Sequence, residues 1–272
     1  MKKMGYKGLV MDIDGTLYNS DKRITEATRQ AIFRAMDEGK IIAIASGRPT
    51  QGIADVCRRL EFAERGGCIM AWNGGRITDV RSGEIISETL LPEGVVADIA
   101  AFAAEHGVPV VAHTRDLFIS ETPEDELIQL EARLNCMTVE KTDSLPDYAD
   151  QKFYKCVITG SDGKLAALEK TASIHFEGRL TVCRSEPYFL DFLPFGIDKA
   201  HGIDVLAEHF GLTKDDFIAC GDGFNDLSMI KHAGLGVAMA NAQEVVRQNA
   251  GYVTGSCDDD GLVAVIDHFL MA

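Results

Sequence analysis

The chain has 272 residues, of which 46% are hydrophobic and 25% charged, an ordinary globular composition that argues against disorder. Its 42 acidic residues against 27 basic ones leave a formal net charge of -15, which opposes binding to a nucleic-acid backbone or an anionic membrane. The same field repels a phosphate ester, unless a divalent cation held by some of the carboxylates reverses the sign locally.

Met1-Lys2-Lys3 carries the charge of a secretory leader, but the apolar run Gly8–Met11 ends at Asp12, too soon for such a segment. No apolar stretch approaches membrane-spanning length, so a soluble, cytoplasmic protein is expected, a monomer or small homo-oligomer. Gly8–Met11 reads as a buried parallel strand that delivers Asp12 at its C-terminal end. Thr25 to Glu38 has helical spacing, with Ala27, Ile32, Phe33 and Met36 on one face, Thr25 as N-cap and Gly39 as C-cap. Ile41–Ala45 is a second buried strand, ending at Ser46-Gly47-Arg48-Pro49. A helix from about Thr50 to Leu60 and a strand Cys68–Ala71, ending at Asn73-Gly74-Gly75, complete a strand–helix rhythm that implies right-handed crossovers.

From Ser82 to about Asp191 the texture changes. The candidate strands Ile85–Leu90, Val108–Ala112, Leu117–Ser120, Phe153–Thr159, Leu180–Arg184 and Tyr188–Phe192 are mixed or alternating. Helical stretches at Pro92–Glu105, Glu124–Leu134 and Gly163–His175 separate them. That suits a sheet with one face under helices and the other on a cleft. The rhythm returns with a helix Gly196–Phe210, a strand Phe217–Cys220, a helix Asp226–His232 and a strand Leu235–Met239. A helix Ala242–Asn249, a strand Tyr252–Thr254 and a helix Gly261–Leu270 close the chain. The expected fold class is α/β: a doubly wound, mostly parallel, Rossmann-like core from residues 1–82 and 192–272, split by an inserted α+β cap domain, 83–191. The seven cysteines (Cys57, Cys68, Cys136, Cys156, Cys183, Cys220, Cys257) form no C-x-x-C pair, and buried free thiols are expected.

The chemistry is carried first by Asp12-Ile13-Asp14-Gly15-Thr16, directly after the first strand. Ligands gather at such strand ends in open α/β sheets. A carboxylate there can attack a metal-bound phosphoryl group to form an acyl-phosphate, while a second protonates the leaving alkoxide and then takes a proton from water. A calcium loop fits badly, because Leu17 and Arg23 stand where its glycine and closing glutamate belong. Taken alone, the pattern serves equally as a strand-end turn with two solvated carboxylates. Gly221-Asp222-Gly223-Phe224-Asn225-Asp226 breaks the tie, since it also follows an apolar strand and puts Asp222 and Asp226 at the same edge as Asp12. Hard Mg²⁺ prefers such oxygen ligands, and Asn225 offers a neutral donor. Ser46-Gly47-Arg48 offers a hydroxyl, an open backbone N–H and a fork-shaped cation at a helix start, although it could equally cap that helix. Lys199 gains weight only in company: a site with several Asp needs a compensating cation. No G-x-G-x-x-G follows the first strand, which argues against a dinucleotide enzyme.

With these four segments in chain order, the sequence resembles the haloacid dehalogenase (HAD) superfamily of phosphatases, in particular its Cof-type sugar-phosphatase branch. Asn73-Gly74-Gly75, Ala238-Met239-Ala240-Asn241-Ala242 and Asp260-Gly261 extend the resemblance over essentially the whole chain. It implies a Mg²⁺-dependent phosphatase of small phosphorylated metabolites, with Asp12 as nucleophile and Asp14 as general acid/base that also lends its backbone carbonyl to the metal. Asp222 would be a direct metal ligand and Asp226 an outer one. Ser46, Gly47, Lys199 and Asn225 would hold the phosphoryl group, and Arg48 would reach the substrate. Ser46 stands where the family often has Thr, which keeps the hydroxyl. His113, Arg115, Arg184 and Tyr188 are the polar cap candidates, each with an ordinary surface or core role as its simpler reading; Phe102, Phe153 and Phe189 read as core. A phosphomutase, or a metabolite-binding protein without turnover, are the alternatives on the same fold.

Overall fold

The computed structural model describes residues 5–148 and 150–272; the basic start Met1–Lys3 lies outside them. The strands are β1 (Gly8–Met11), β2 (Ile41–Ala45), β3 (Cys68–Ala71), β4 (Arg76–Asp79) and β5 (Ile85–Glu88), then β6 (Val110–His113), β7 (Phe118–Ser120), β8 (Val139–Lys141), β9 (Lys155–Thr159), β10 (Leu180–Glu186) and β11 (Phe189–Pro194), and finally β12 (Phe217–Gly221), β13 (Leu235–Ala238) and β14 (Tyr252–Val253). They form two sheets, in two compact units. One unit comprises Met1–Gly47, Ala54–Ser87 and Asp198–Ala272, the other Arg48–Ile53 and Glu88–Ile197.

In the first unit the sheet order is β14-β13-β12-β1-β2-β3-β4-β5. Pairing is parallel from β14 to β3, and β4 runs antiparallel to β3. Strands β1, β2, β3 and β12 are almost wholly buried, as apolar runs covered on both faces must be. In β1, Met11 lies opposite Ile44 on one side and Cys220 on the other. The residues that follow these three strands, Asp12, Ser46 and Asp222, therefore emerge at one edge. Ile85–Glu88, which its texture groups with the insert, instead closes this sheet as β5 beside β4.

The helix Glu26–Asp37 begins at Thr25, whose hydroxyl accepts the Thr28 N–H at 3.1 Å. Its buried face is Thr28, Ala31, Ile32, Phe33 and Ala35; Ile32 and Phe33 lie on it as the apolar spacing selects, whereas Ala27 is exposed and Met36 half-buried. The physical reason is Asp260, which accepts hydrogen bonds from both Thr25 and Thr28 hydroxyls and draws that side of the helix inward. The helix expected from Gly196 starts later, at Lys199, because Asp198 caps it by accepting the His201 N–H at 2.8 Å.

In the second unit the order is β10-β11-β9-β6-β7-β8, antiparallel except for the parallel pair β7/β8. One face packs against the helices Val95–Glu105 and Asp162–His175 through Ile99, Phe102, Leu165 and Leu168. The other face is not left open along its length: Ile128 and Ala132 of the helix Glu126–Leu134 pack on Val111, Phe118, Val157 and Phe189. The core reading of Phe102, Phe153 and Phe189 agrees with their burial. Among the cysteines, Cys68, Cys156 and Cys220 are buried, whereas Cys136 is exposed.

Strand alternation puts His113, Lys155 and Asp191 on the same face as Val111, Val157 and Phe189. Lys155 Nζ lies 3.1 Å from Asp191 Oδ2 and 3.7 Å from Glu131 Oε1, with all three side chains buried. Burial, foremost, lifts the Glu131 carboxyl above the usual range, opposed by Lys155. Lys155→Met leaves two buried carboxylates without their cation. We expect a loss of about 3–5 kcal/mol in urea unfolding; an unchanged midpoint would show the pair to be dispensable.

Candidate active site

The site grows from the β1 end. After Met11 the Asp12 N–H donates to Cys220 O (3.0 Å), so the chain stays registered with β12 for one more residue before it turns. Gly15 makes that turn with φ 77, and a Cβ on it would fall 2.3 Å from Asp222 Oδ2. Both the backbone angle and the close approach therefore require glycine. Thr16, two residues from Asp14, donates its hydroxyl to Asp222 Oδ1 at 2.9 Å across 206 positions of sequence. Asn241 Nδ2 donates to Gly15 O at 2.8 Å and braces the turn from behind.

Lys199 is the hub. It is wholly buried, and its Nζ donates to Asp12 Oδ1 at 2.6 Å and to Asp226 Oδ1 at 2.5 Å. The other oxygen of Asp226 accepts the N–H groups of Asp222 and Gly223, each at 2.9 Å. Asp226 thus has both oxygens engaged and holds the loop that carries Asp222. The Lys199 ammonium is kept charged against burial by Asp12 and Asp226. Burial, foremost, pushes the Asp12 carboxyl up to about 7 despite Lys199, with Asp226 and Asp14 adding to the rise. Asp222 is pushed up to about 8 by burial and then by Asp12 and Asp226.

Among the described residues, Asp12, Asp222 and Asp226 form a group of acidic side chains able to hold a metal ion, one oxygen of each lying within 4.8 Å of the others. The donor set fits a hard divalent cation: all-oxygen, with two carboxylates held in a state that extra positive charge would relieve. Asp14 stands at the rim, its Oδ1 accepting from Lys22 Nζ at 2.8 Å.

On the far side, Ser46 is buried, its N–H donating to Met70 O, and Gly47 follows beside the side chains of Asn73 and Asn225. Asn225 Nδ2 donates to Asn73 Oδ1 at 3.0 Å. So Asp12, Asp14, Ser46, Gly47, Lys199, Asp222, Asn225 and Asp226 all belong to the first unit. Arg48 does not: it groups with the second unit, where its Nη1 donates to Leu134 O at 2.8 Å. Thr16, Lys22, Asn73 and Asn241 had no individual role in the sequence reading. Three of them were visible only as members of a motif, and nothing local marked Lys22.

Of the polar residues considered in the insert, His113 is fully buried and stacked on Phe118, with ring centroids 3.6 Å apart. Arg115 is largely exposed beside Asp116. Arg184 is paired with Asp162 and Glu169, and Tyr188 packs edge-on against Phe189. Among the described residues, no helix is long and apolar enough to cross a membrane.

Residues 9–266 match the sequence pattern of the haloacid dehalogenase-like hydrolases. A 5-amino-6-(5-phospho-D-ribitylamino)uracil phosphatase of Bacillus subtilis is 28% identical over 97% of this chain and 96% of its own length. The crystal structure of a haloacid dehalogenase-like hydrolase from Bacteroides thetaiotaomicron superposes with a TM-score of 0.84 at 41% identity, over 97% of this chain and 99% of that one. A HAD subclass IIB sugar phosphatase superposes with a TM-score of 0.81 at 27% identity, over 96% and 98%. Sequence, sheet order and the acidic edge agree: the chain belongs to the haloacid dehalogenase-like hydrolase family, in its Cof-type branch.

Proposed function

We propose that the protein is a Mg²⁺-dependent phosphatase of small organic phosphate monoesters, sugar phosphates or related polyol phosphates, acting through an aspartyl-phosphate on Asp12. The observation that carries this reading is the buried Lys199 ammonium, bonded to Asp12 at 2.6 Å, with Asp222 in the same acidic group. A mere binding protein has no use for carboxylates gathered so closely that burial and mutual repulsion lift two of them out of their ordinary range. The names of the relatives, a ribitylamino-uracil phosphatase and a sugar phosphatase, favour a phosphorylated sugar or polyol as the substrate class.

Asp12, Asp14 and Asp222 would hold the cation, with Asp226 behind them; the cation's contribution is charge neutralisation, so that an anionic phosphoryl group can approach an acidic edge. An Asp12 oxygen then attacks phosphorus and the bond to the ester oxygen breaks. Asp14 gives its proton to the departing alkoxide. In the second half Asp14, now ionised, takes a proton from water as that water attacks phosphorus. The Asp12–phosphorus bond breaks, and inorganic phosphate leaves. Lys199 stays charged and holds Asp12 in place throughout, while Ser46, the Gly47 N–H and Asn225 donate to the phosphoryl oxygens.

The test is phosphate release from a panel of sugar and polyol phosphates after dialysis against EDTA, with and without added Mg²⁺. Turnover is expected to be lost on chelation and restored by Mg²⁺. Full activity without any divalent ion, or isomerised sugar phosphate in place of free phosphate, would overturn the reading.

A further inference from the structure

Between β3 and β4 the chain does something costly. Trp72 and Asn73 both adopt left-handed backbone angles, φ 49 and φ 55, and both are buried. Asn tolerates that region, whereas a bulky residue such as Trp enters it only when its surroundings demand it. What the turn achieves is contact with three separate loops. The Asn73 N–H donates to Ser46 O at 2.8 Å. Its side-chain Oδ1 accepts from Asn225 Nδ2 at 3.0 Å, across 152 positions of sequence. One residue on, Gly74 has φ 99 and sits so close to Asp198 that a Cβ would fall 2.8 Å from the Asp198 carbonyl oxygen. Asp198 caps the helix whose first residue is Lys199.

We propose that Asn73 is a positioning residue: it aims the Asn225 amide, and the turn around it sets the spacing of Ser46, Asn225 and Lys199 as one phosphoryl-binding cradle. The idea rests on the phosphatase reading of that cradle. An amide on a side chain rotates freely unless something orients it, and an Asn225 that must offer an N–H to a phosphoryl oxygen needs its other N–H tied down. Asn73 Oδ1 does this from a backbone that is itself fixed by Ser46. A Cβ at Gly47 would lie 3.4 Å from Asn73 Oδ1 and 3.8 Å from Asn225 Nδ2, which puts the open Gly47 backbone beside both amides.

The experiment is a double-mutant cycle of Asn73→Gly and Asn225→Ala in the full chain. It is read by kcat/KM on the best substrate of the panel and by the inhibition constant of inorganic phosphate. Glycine keeps the left-handed backbone and the N–H to Ser46, and removes only the side-chain acceptor. Emission from Trp72, the chain's only tryptophan, together with the melting temperature, reports whether the turn survives. Each single variant is expected to lower kcat/KM by about 10-fold and to raise the phosphate inhibition constant by a similar factor, the size of one well-aligned hydrogen bond. The double variant should be no worse than Asn225→Ala alone, because Asn73 acts through Asn225. Additive losses, an unaltered phosphate inhibition constant in Asn73→Gly, or a collapse of its fold would each overturn the proposal. An inactive wild type that phosphate does not inhibit would instead defeat the phosphatase reading itself.

Discussion

Asp12→Asn is expected to lower turnover by on the order of 10⁴-fold or more while the protein stays folded, the size of loss typical when a covalent nucleophile is removed. The substitution keeps shape and an oxygen for the Lys199 Nζ, which lies 2.6 Å from Asp12 Oδ1. It removes the negative charge, and with it the nucleophilicity of the oxygen that attacks phosphorus. It also removes one charge from a crowded acidic group, so the melting temperature should hold or rise slightly. The measurement is steady-state phosphate release beside a thermal melt. A variant that melts normally and still turns over at the wild-type rate would move the nucleophile away from Asp12. A companion, Asp14→Asn, should slow the second half for every substrate alike, because Asp14 is also the base toward water, but its loss in kcat/KM, which reads the first half, should be smaller for substrates whose leaving group needs no proton. If aryl and alkyl phosphates lost kcat/KM equally in that variant, the acid role of Asp14 would fall.

How much of this was legible beforehand depended on whether the cause lay near in sequence. The strands β1, β2, β3 and β12 could be read because each is an unbroken apolar run flanked by Gly, Asp or Ser, and a strand buried on both faces leaves that signature. The short strands β4 and β8 could not: they are four and three residues long, partly exposed, and carry no alternation over so short a span. β5 was found as a strand but not as part of the core sheet, since its pairing with β4 is a tertiary choice. The helix face at Ala27 and Met36 was misread for a similar reason, because Asp260 pulls the Thr28 side inward from more than two hundred positions away. In the site, Asp12, Asp14, Asp222 and Asp226 stood out because acidic residues at the ends of apolar strands are chemically conspicuous. Lys199 could be weighed only in their company, and its two short contacts give the reason. Thr16 and Asn73 make their contacts to partners 206 and 152 positions away, which no local pattern encodes. The tripeptide Ser46-Gly47-Arg48 reads as one unit of sequence, yet its arginine keeps company with Leu134 in the other unit.

The second large effect concerns Lys199 and the balance of charge around it. Lys199→Met puts an apolar chain of similar length in a fully buried position and strips Asp12 and Asp226 of the cation they share. In the metal-free protein we expect a loss of about 3–5 kcal/mol, the usual result of removing one partner from a buried ion pair. The pH dependence follows from the raised carboxyls. Asp12 at about 7 and Asp222 at about 8 stand above their ordinary value of 3.8, so between roughly pH 4 and pH 8 the folded protein binds more protons than the unfolded chain. Stability contributed by the protonated forms is therefore present at the acid end of that window and is lost as pH rises through 7 and 8. Lys199 lowers Asp12 and, after the Thr16 hydrogen bond, also lowers Asp222, so its removal widens the window. Urea unfolding of wild type and Lys199→Met at pH 5 and pH 8, with EDTA or with Mg²⁺, reads this directly. The variant's deficit should be larger at pH 8 than at pH 5. Mg²⁺ should stabilise both proteins more at pH 8, where the carboxylates are free to bind it and protons no longer compete. Catalysis should not recover with the added metal, because the cation restores charge without restoring the hydrogen bond that fixes the Asp12 oxygen. Equal deficits at the two pH values, or a variant whose midpoint ignores Mg²⁺, would mean that the acidic residues at this sheet edge neither repel one another nor share a metal.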